Sequence, residues 1–243
     1  MVWQKLKTFC LDLVFPAVCA HCGKNTQTTE MILCVECLNK IKLNDHGFCP
    51  VCMKWLGQGP PSQEATAGRG KCHEHPLRAL YAAANYEDPE VRTLIKKLKY
   101  DSWSRVANHL ASPIHNYLDL VGGNFKEYVL VPVPLHPSKE KARGFNQAEL
   151  IARILSHRME VLMKTDLVKR ILPTISQTTL ENYAAREKNI AGAFQINHKV
   201  ELPKKIMLVD DIYTSGATMS ELARTLKLGG VKEVVGLVFA KAR

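Results

Sequence analysis

The chain has no run of 18 or more apolar residues, which excludes a membrane-spanning helix of ordinary length. It has no cysteine beyond Cys72, so its thiol chemistry is confined to the first third of the sequence. Neither Gly-x-x-x-x-Gly-Lys nor Gly-x-Gly-x-x-Gly occurs, which removes the Walker-type phosphate loop and the dinucleotide fingerprint. Aromatic residues make up only 7% and form no regular platform on which single-stranded bases would stack. No side chain stands out as a covalent nucleophile.

What is present fits an α/β protein. A length of 243 residues suits one domain of ordinary size with a small appendage, and 46% apolar against 23% charged residues is the balance of a globular chain. Val2 to Cys22 is apolar in flavour, but Lys5, Lys7 and Asp12 interrupt it, unlike a secretory h-region. A cytoplasmic location is the expectation. The formal charge of +10 attracts polyphosphates, nucleic acid or both, or serves solubility alone, and does not choose among them.

Eight cysteines divide the chain at about residue 76, into a cysteine-rich region (1–76) and an α/β region (77–243). Cys19 and Cys22, Cys34 and Cys37, and Cys49 and Cys52 are C-x-x-C pairs, and Cys72 stands at the same spacing from His75. Such pairs present two thiolates from one tight turn, the chemistry of tetrahedral zinc. Eight ligands serve one zinc or two. Sequential pairing groups Cys19, Cys22, Cys34 and Cys37, then Cys49, Cys52, Cys72 and His75; a cross-braced order interleaves them. His73 is an alternative to His75. Either way all four positions are filled by protein, which makes the zinc structural. Cys10, among Leu6, Phe9, Leu11 and Leu13, reads as a buried thiol.

In the α/β region, Leu77–Tyr86, Tyr128–Leu135, Ile206–Val209 and Val234–Phe239 read as strands, with Pro132 and Pro134 ending the second. Val91, Leu94, Ile95 and Leu98 form one helical stripe, with Lys96, Lys97 and Lys99 on the wet side. Further helices are expected from Phe145–Gln147 through Ile154 and over Met219–Leu228.

Asp210 and Asp211 follow the apolar run Ile206–Val209 directly, at the strand end where open parallel sheets bind ligands. Two adjacent acids there accept hydrogen bonds from vicinal sugar hydroxyls. Thr214, Ser215, Gly216, Ala217 and Thr218 then make a small-residue turn whose N–H groups, at the start of a helix, suit a phosphate. The segment His136–Gln147 reads as a basic loop. Lys139, Lys141 and Arg143 suit a pyrophosphate, Arg143 best because a guanidinium holds two oxygens at once. Asn146 and Gln147 either orient substrate or cap the next helix.

The acid pair and turn resemble the phosphoribosyl pyrophosphate (PRPP) motif of type I phosphoribosyltransferases. With Arg143-Gly-Phe-Asn-Gln147 and the cysteine-rich start, the chain resembles the ComF family over nearly its full length. The resemblance implies a mostly parallel sheet flanked by helices with a small zinc-binding domain in front. It implies PRPP or a related ribose phosphate bound with Mg²⁺, Asp210 and Asp211 on the ribose hydroxyls and residues 214–218 on the 5-phosphate. It places Lys99 near the mouth of the site and makes Lys169–Leu180, with Glu181–Ala193 after it, a flap over PRPP. Gln177, Thr178, Arg186 and Asn189 match the family's polar pattern, although Arg186 also suits a helix-surface pair with Glu181 or Glu187. Tyr213 is a candidate contact for the incoming group. Relatives often carry cysteine where His75 stands. The family's link to natural transformation implies partners in DNA uptake: single-stranded DNA and other uptake or recombination proteins. A DNA-binding competence factor, or a PRPP-binding regulator without turnover, is the alternative to an active enzyme.

Overall fold

The computed structural model describes residues 17–26, 31–56, 73–100, 103–173 and 189–242; at 99, 100, 103–106 and 108 only the backbone is described. Its elements in chain order are α1 (Val35–Leu38), β1 (Leu80–Asn85), α2 (Pro89–Tyr100), α3 (Trp103–Val121), β2 (Val129–Pro132), α4 (Pro137–Arg143), α5 (Gln147–Met159), β3 (Val168–Arg170), β4 (Phe194–Ile196), β5 (Lys205–Tyr213), α6 (Ala217–Leu228) and β6 (Glu233–Lys241).

Side chains alternate across a strand, so an apolar run with no polar face must be covered on both sides. β1, β6, β5 and β2 lie in that order, all parallel. Met207, Val209, Val235, Leu237 and Phe239 pack on one face against Leu110 and Ile114 of α3 and Ile151 and Leu155 of α5. Ile206, Leu208, Val234 and Val238 pack on the other against Leu222, Ala223 and Leu226 of α6. These side chains are fully buried, and each of them except Ala223 contributes about 1.5–3 kcal/mol. The stripe Val91, Leu94, Ile95 and Leu98 of α2 joins the first core as its periodicity predicts.

Connectivity sets the ligand position. From β2 the chain passes through α5 to Met163, which bridges parallel to Leu130 on the outer side of β2. From β5 it passes through α6, on the opposite face, to β6 in the opposite direction. Strand order therefore reverses between β2 and β5, and a crevice opens beyond their carboxyl ends.

The sheet edges are also covered. Along β1, Asn44 N–H donates to Ala83 O (2.8 Å), and Phe48 and Leu80 exchange N–H···O bonds of 2.8 and 2.9 Å. Along β2, Leu130 N–H donates to Leu162 O and Lys164 N–H to Leu130 O. Cys19, Leu33, Cys34 and Cys37 belong to the first core and Phe48 to the second, so the cysteine-rich segment packs onto the α/β body.

α3 and β4 are not among the expected elements, and three others differ from expectation. β5 continues past the acids to Tyr213, because β6 keeps pairing with it through Asp210↔Val238, Ile212↔Ala240 and Tyr213↔Lys241. The basic loop contains a helix, α4: Pro137 pre-sets its first turn, His136 Nδ1 accepts Ser138 N–H at 3.2 Å, and left-handed Gly144 ends it. The expected flap starts inside strand β3, paired antiparallel with β4; residues 174–188 lie outside those described.

Candidate functional site

The C-x-x-C pairs fold as two copies of one knuckle. In the first, Cys19 N–H donates to Lys24 O (2.8 Å), Gly23 N–H to Cys19 O (2.9 Å), and Val18 bridges Asn25. In the second, Cys49 N–H donates to Lys54 O (2.8 Å), Met53 N–H to Cys49 O (2.9 Å), and Phe48 bridges Trp55. The fifth residue of each is left-handed, Gly23 at φ 73° and Met53 at φ 57°. The first knuckle is completed by Cys34 and Cys37, at the start and within α1, and the four sulfurs lie within 4.8 Å of one another. Cys22 and Cys34 Sγ are 3.7 Å apart, and the edge of a tetrahedron with zinc–sulfur bonds of about 2.3 Å is roughly 3.8 Å. Burial raises the Cys19 thiol's pKa, but backbone donors at Cys22, Cys34 and His21 bring it down to about 6. Burial pushes Cys37 the other way, with the neighbouring thiols adding to it. The donor set therefore fits a thiolate-binding cation.

The second cluster gathers Cys49, Cys52 and His73, with Cys49 Sγ 3.7 Å from His73 Nδ1. Pairing is thus sequential. His73 takes the place expected of His75, whose ring is engaged elsewhere: Nε2 lies 3.0 Å from Ser220 Oγ, and Nδ1 accepts Leu77 N–H at 3.1 Å. Cys72 and Cys10 fall outside the described residues. Both clusters can hold zinc.

At the crevice, Asp210 is half-buried and Asp211 almost fully buried at 3% exposure. Asp210 Oδ1 accepts Asp211 N–H at 2.8 Å, while Asp211 Oδ2 is buried without a hydrogen-bond partner among the described residues. A buried acceptor left so is costly to stability and suited to a hydroxyl donor or a hard cation. β2 leaves the sheet beside this pair: its last register partner is Pro132↔Val209, followed by Val133 N–H donating to Val209 O at 2.9 Å.

The turn after β5 is held from below. Gly216 is left-handed (φ 80°), and a Cβ on it would overlap the Tyr213 hydroxyl and ring. Ser215 and Ala217 are buried, Thr214 and Thr218 half-exposed. Gly216 itself offers no side-chain cap to α6, and Ser215 Oγ accepts Ala217 N–H at 3.4 Å. Tyr213 is 2% exposed and its hydroxyl donates to Pro50 O at 2.9 Å, so it supports the turn and does not face an incoming group.

On the β2 side, a cleft of about 590 Å³ opens among Pro134, His136, Asn146, Lys169 and Arg170. Burial pushes the Lys139 ammonium below its usual range, with the Arg170 and Arg143 charges adding to it. Arg143 Nη1 donates to Gln147 Oε1 at 2.6 Å, and Lys141 is exposed. Asn146 caps α5 by accepting Ala148 N–H at 3.0 Å and ties it to β2 by donating to Val133 O at 3.1 Å.

Sequence reasoning missed Arg170. It is 8% exposed; burial lowers the pKa of its guanidinium, the Asp210 charge opposes that shift, and its own charge helps to lower the pKa of Lys139. Its signal was the alternation Val168, Lys169, Arg170, buried, exposed, buried, which a flap does not require. Asn189 begins the described chain after the 174–188 gap. Gln177, Thr178 and Arg186 lie outside the described residues, as does the Lys99 side chain.

Fold and site together define an α/β protein with an acid pair and a glycine turn at its switch point and two cysteine knuckles docked on the sheet. No family model matches the chain. It is 28% identical over 225 residues to competence protein F of Haemophilus influenzae, covering 89% of this chain and 93% of that one. It is 26% identical over 229 residues to the DNA utilization protein YhgH of Escherichia coli (91% and 96%) and 25% identical over 230 residues to competence protein ComFC of Streptococcus pneumoniae (89% and 96%). The chain is thus similar, over most of its length, to proteins named for competence and DNA utilization. Among the described residues no helix is long and apolar enough to cross a membrane.

Proposed function

We propose that the chain is a PRPP-binding, Mg²⁺-dependent phosphoribosyltransferase-like protein of natural transformation and DNA uptake. The observation that carries the reading is the acid pair at the switch-point crevice, running through Tyr213 directly into the Gly216 turn. The DNA role rests on relatives named as competence and DNA utilization proteins.

In the proposed reaction an acceptor's lone pair forms a bond to the anomeric carbon while the bond to pyrophosphate breaks, its electron pair leaving with the pyrophosphate. Asp210 and Asp211 accept the ribose hydroxyls and offset positive charge on the sugar. Residues 214–218 hold the 5-phosphate, and Lys139, Lys141 and Arg143 hold the leaving group in line. The acids and the Asp211 Oδ2 acceptor fit Mg²⁺, which when bound supplies neutralisation of the departing charge. Zinc in the cysteine knuckles has a structural role.

Calorimetric titration with PRPP, with and without Mg²⁺, tests the reading. Magnesium-dependent micromolar binding, about −8 kcal/mol, is expected; no binding with Mg²⁺ present overturns it. PRPP binding without pyrophosphate release on any acceptor favours a regulator. A second reading, in which single-stranded DNA binds directly, draws on the +10 charge together with relatives named as DNA utilization proteins. Its affinity should then fall steeply with salt, and affinity indifferent to salt removes the electrostatic contact.

A further inference from the structure

Two contacts beneath the phosphate-type turn lead back to the second cysteine knuckle. Pro50, between Cys49 and Cys52, accepts the Tyr213 hydroxyl at 2.9 Å, and that hydroxyl occupies the space a Gly216 side chain would fill. On the other side Ser220 Oγ donates to Gly216 O at 2.8 Å. Its single hydrogen is thereby committed, so at 3.0 Å the His75 Nε2–H must be the donor to Ser220 Oγ. Consistent with that tautomer, His75 Nδ1 accepts Leu77 N–H. His75 stands two residues after His73, a member of the same cluster as Cys49 and Cys52. The turn is thus gripped at Tyr213 and at Ser220 by the two chain segments that one metal would tie together.

We infer that Tyr213 and His75 are positioning residues that clamp the Gly216 turn to the Cys49–Cys52–His73 knuckle, so that metal in this knuckle sets the turn's affinity for a phosphate monoester. The inference rests on the ribose-phosphate reading for its ligand, but not for the clamp itself. With metal bound, the Pro50 carbonyl is fixed and the backbone donors of the turn are pre-organised. Without it, the Pro50 and His75 anchors loosen, and binding has to order the turn first.

The test uses the full zinc-loaded chain, Tyr213→Phe, which keeps the ring under Gly216, and Cys52→Ala, which takes metal from the second knuckle only. Two readouts are taken: amide hydrogen exchange at residues 214–218, and calorimetric affinity for ribose 5-phosphate. Tyr213→Phe is expected to speed exchange at the turn and weaken binding by about three- to tenfold, the loss of one buried hydrogen bond, with zinc content unchanged. Cys52→Ala is expected to do the same and to lose one equivalent of zinc. Unchanged exchange at 214–218 in Tyr213→Phe overturns the clamp whatever the ligand result, and this variant decides if Cys52→Ala does not fold. Faster exchange in a protein whose wild type binds no ribose 5-phosphate keeps the clamp and overturns the ligand reading instead.

Discussion

The carboxylate of Asp210 accepts the backbone N–H of Asp211 at 2.8 Å, leaving the two neighbouring acids with unlike surroundings. One is half-exposed and used by the backbone; the other is buried with an oxygen that no described group satisfies. Asp211→Asn removes a buried charge, so it should raise the melting temperature by about 2–4 °C per kcal/mol gained while weakening ribose phosphate binding at least about tenfold. Calorimetry beside thermal denaturation checks this. A variant both less stable and fully binding would show that Asp211 is a structural acid.

Gly216→Ala should be among the more damaging single changes. It forces an L-residue to φ 80° and drives a methyl into the Tyr213 hydroxyl, a combined cost of at least about 2 kcal/mol. Denaturant titration reads it directly, and the double variant with Tyr213→Phe should recover part of the loss by vacating the hydroxyl's space.

The first knuckle offers a cleaner backbone experiment. Gly23 is left-handed, and a Cβ there would meet nothing within 4 Å, so Gly23→Ala isolates the conformational cost, about 1–2 kcal/mol. Zinc competition with a chromophoric chelator should show a correspondingly weaker site. Equal affinity would mean that the knuckle turns differently when metal is bound.

Lys139 is held between burial and two neighbouring cations, Arg170 and Arg143. Lys139→Met should therefore raise the melting temperature while reducing pyrophosphate affinity, with the reduction shrinking as salt rises. A melting temperature that falls would mean that the methylene stem of Lys139, not its charge, matters most there.

The cores and most elements were legible because apolar periodicity is local: the α2 stripe and the β5 and β6 runs are buried as their patterns require. The order of strand, acid pair and small-residue turn was legible for the same reason, since Asp210 and Asp211 directly follow an apolar run. Arg170, Tyr213 and His75 were not. Arg170 depends on β3 folding over the end of β2, while Tyr213 and His75 acquire their partners, Pro50 and Ser220, from 163 and 145 residues away. The C-x-x-C spacing predicted metal chemistry, yet choosing between His73 and His75 required knowing that a serine of α6 claims the latter.

The segment Asn44–Phe48 lies between Cys37 and Cys49 and closes the outer edge of β1 with backbone hydrogen bonds. The cysteine clusters on either side of this segment thereby flank the cover of a strand that would otherwise present its row of donors and acceptors to any passing chain. Stripping the metals is then expected to do more than soften the fold: with β1 uncovered, chains should pair edge to edge, and light scattering should rise before the core melts.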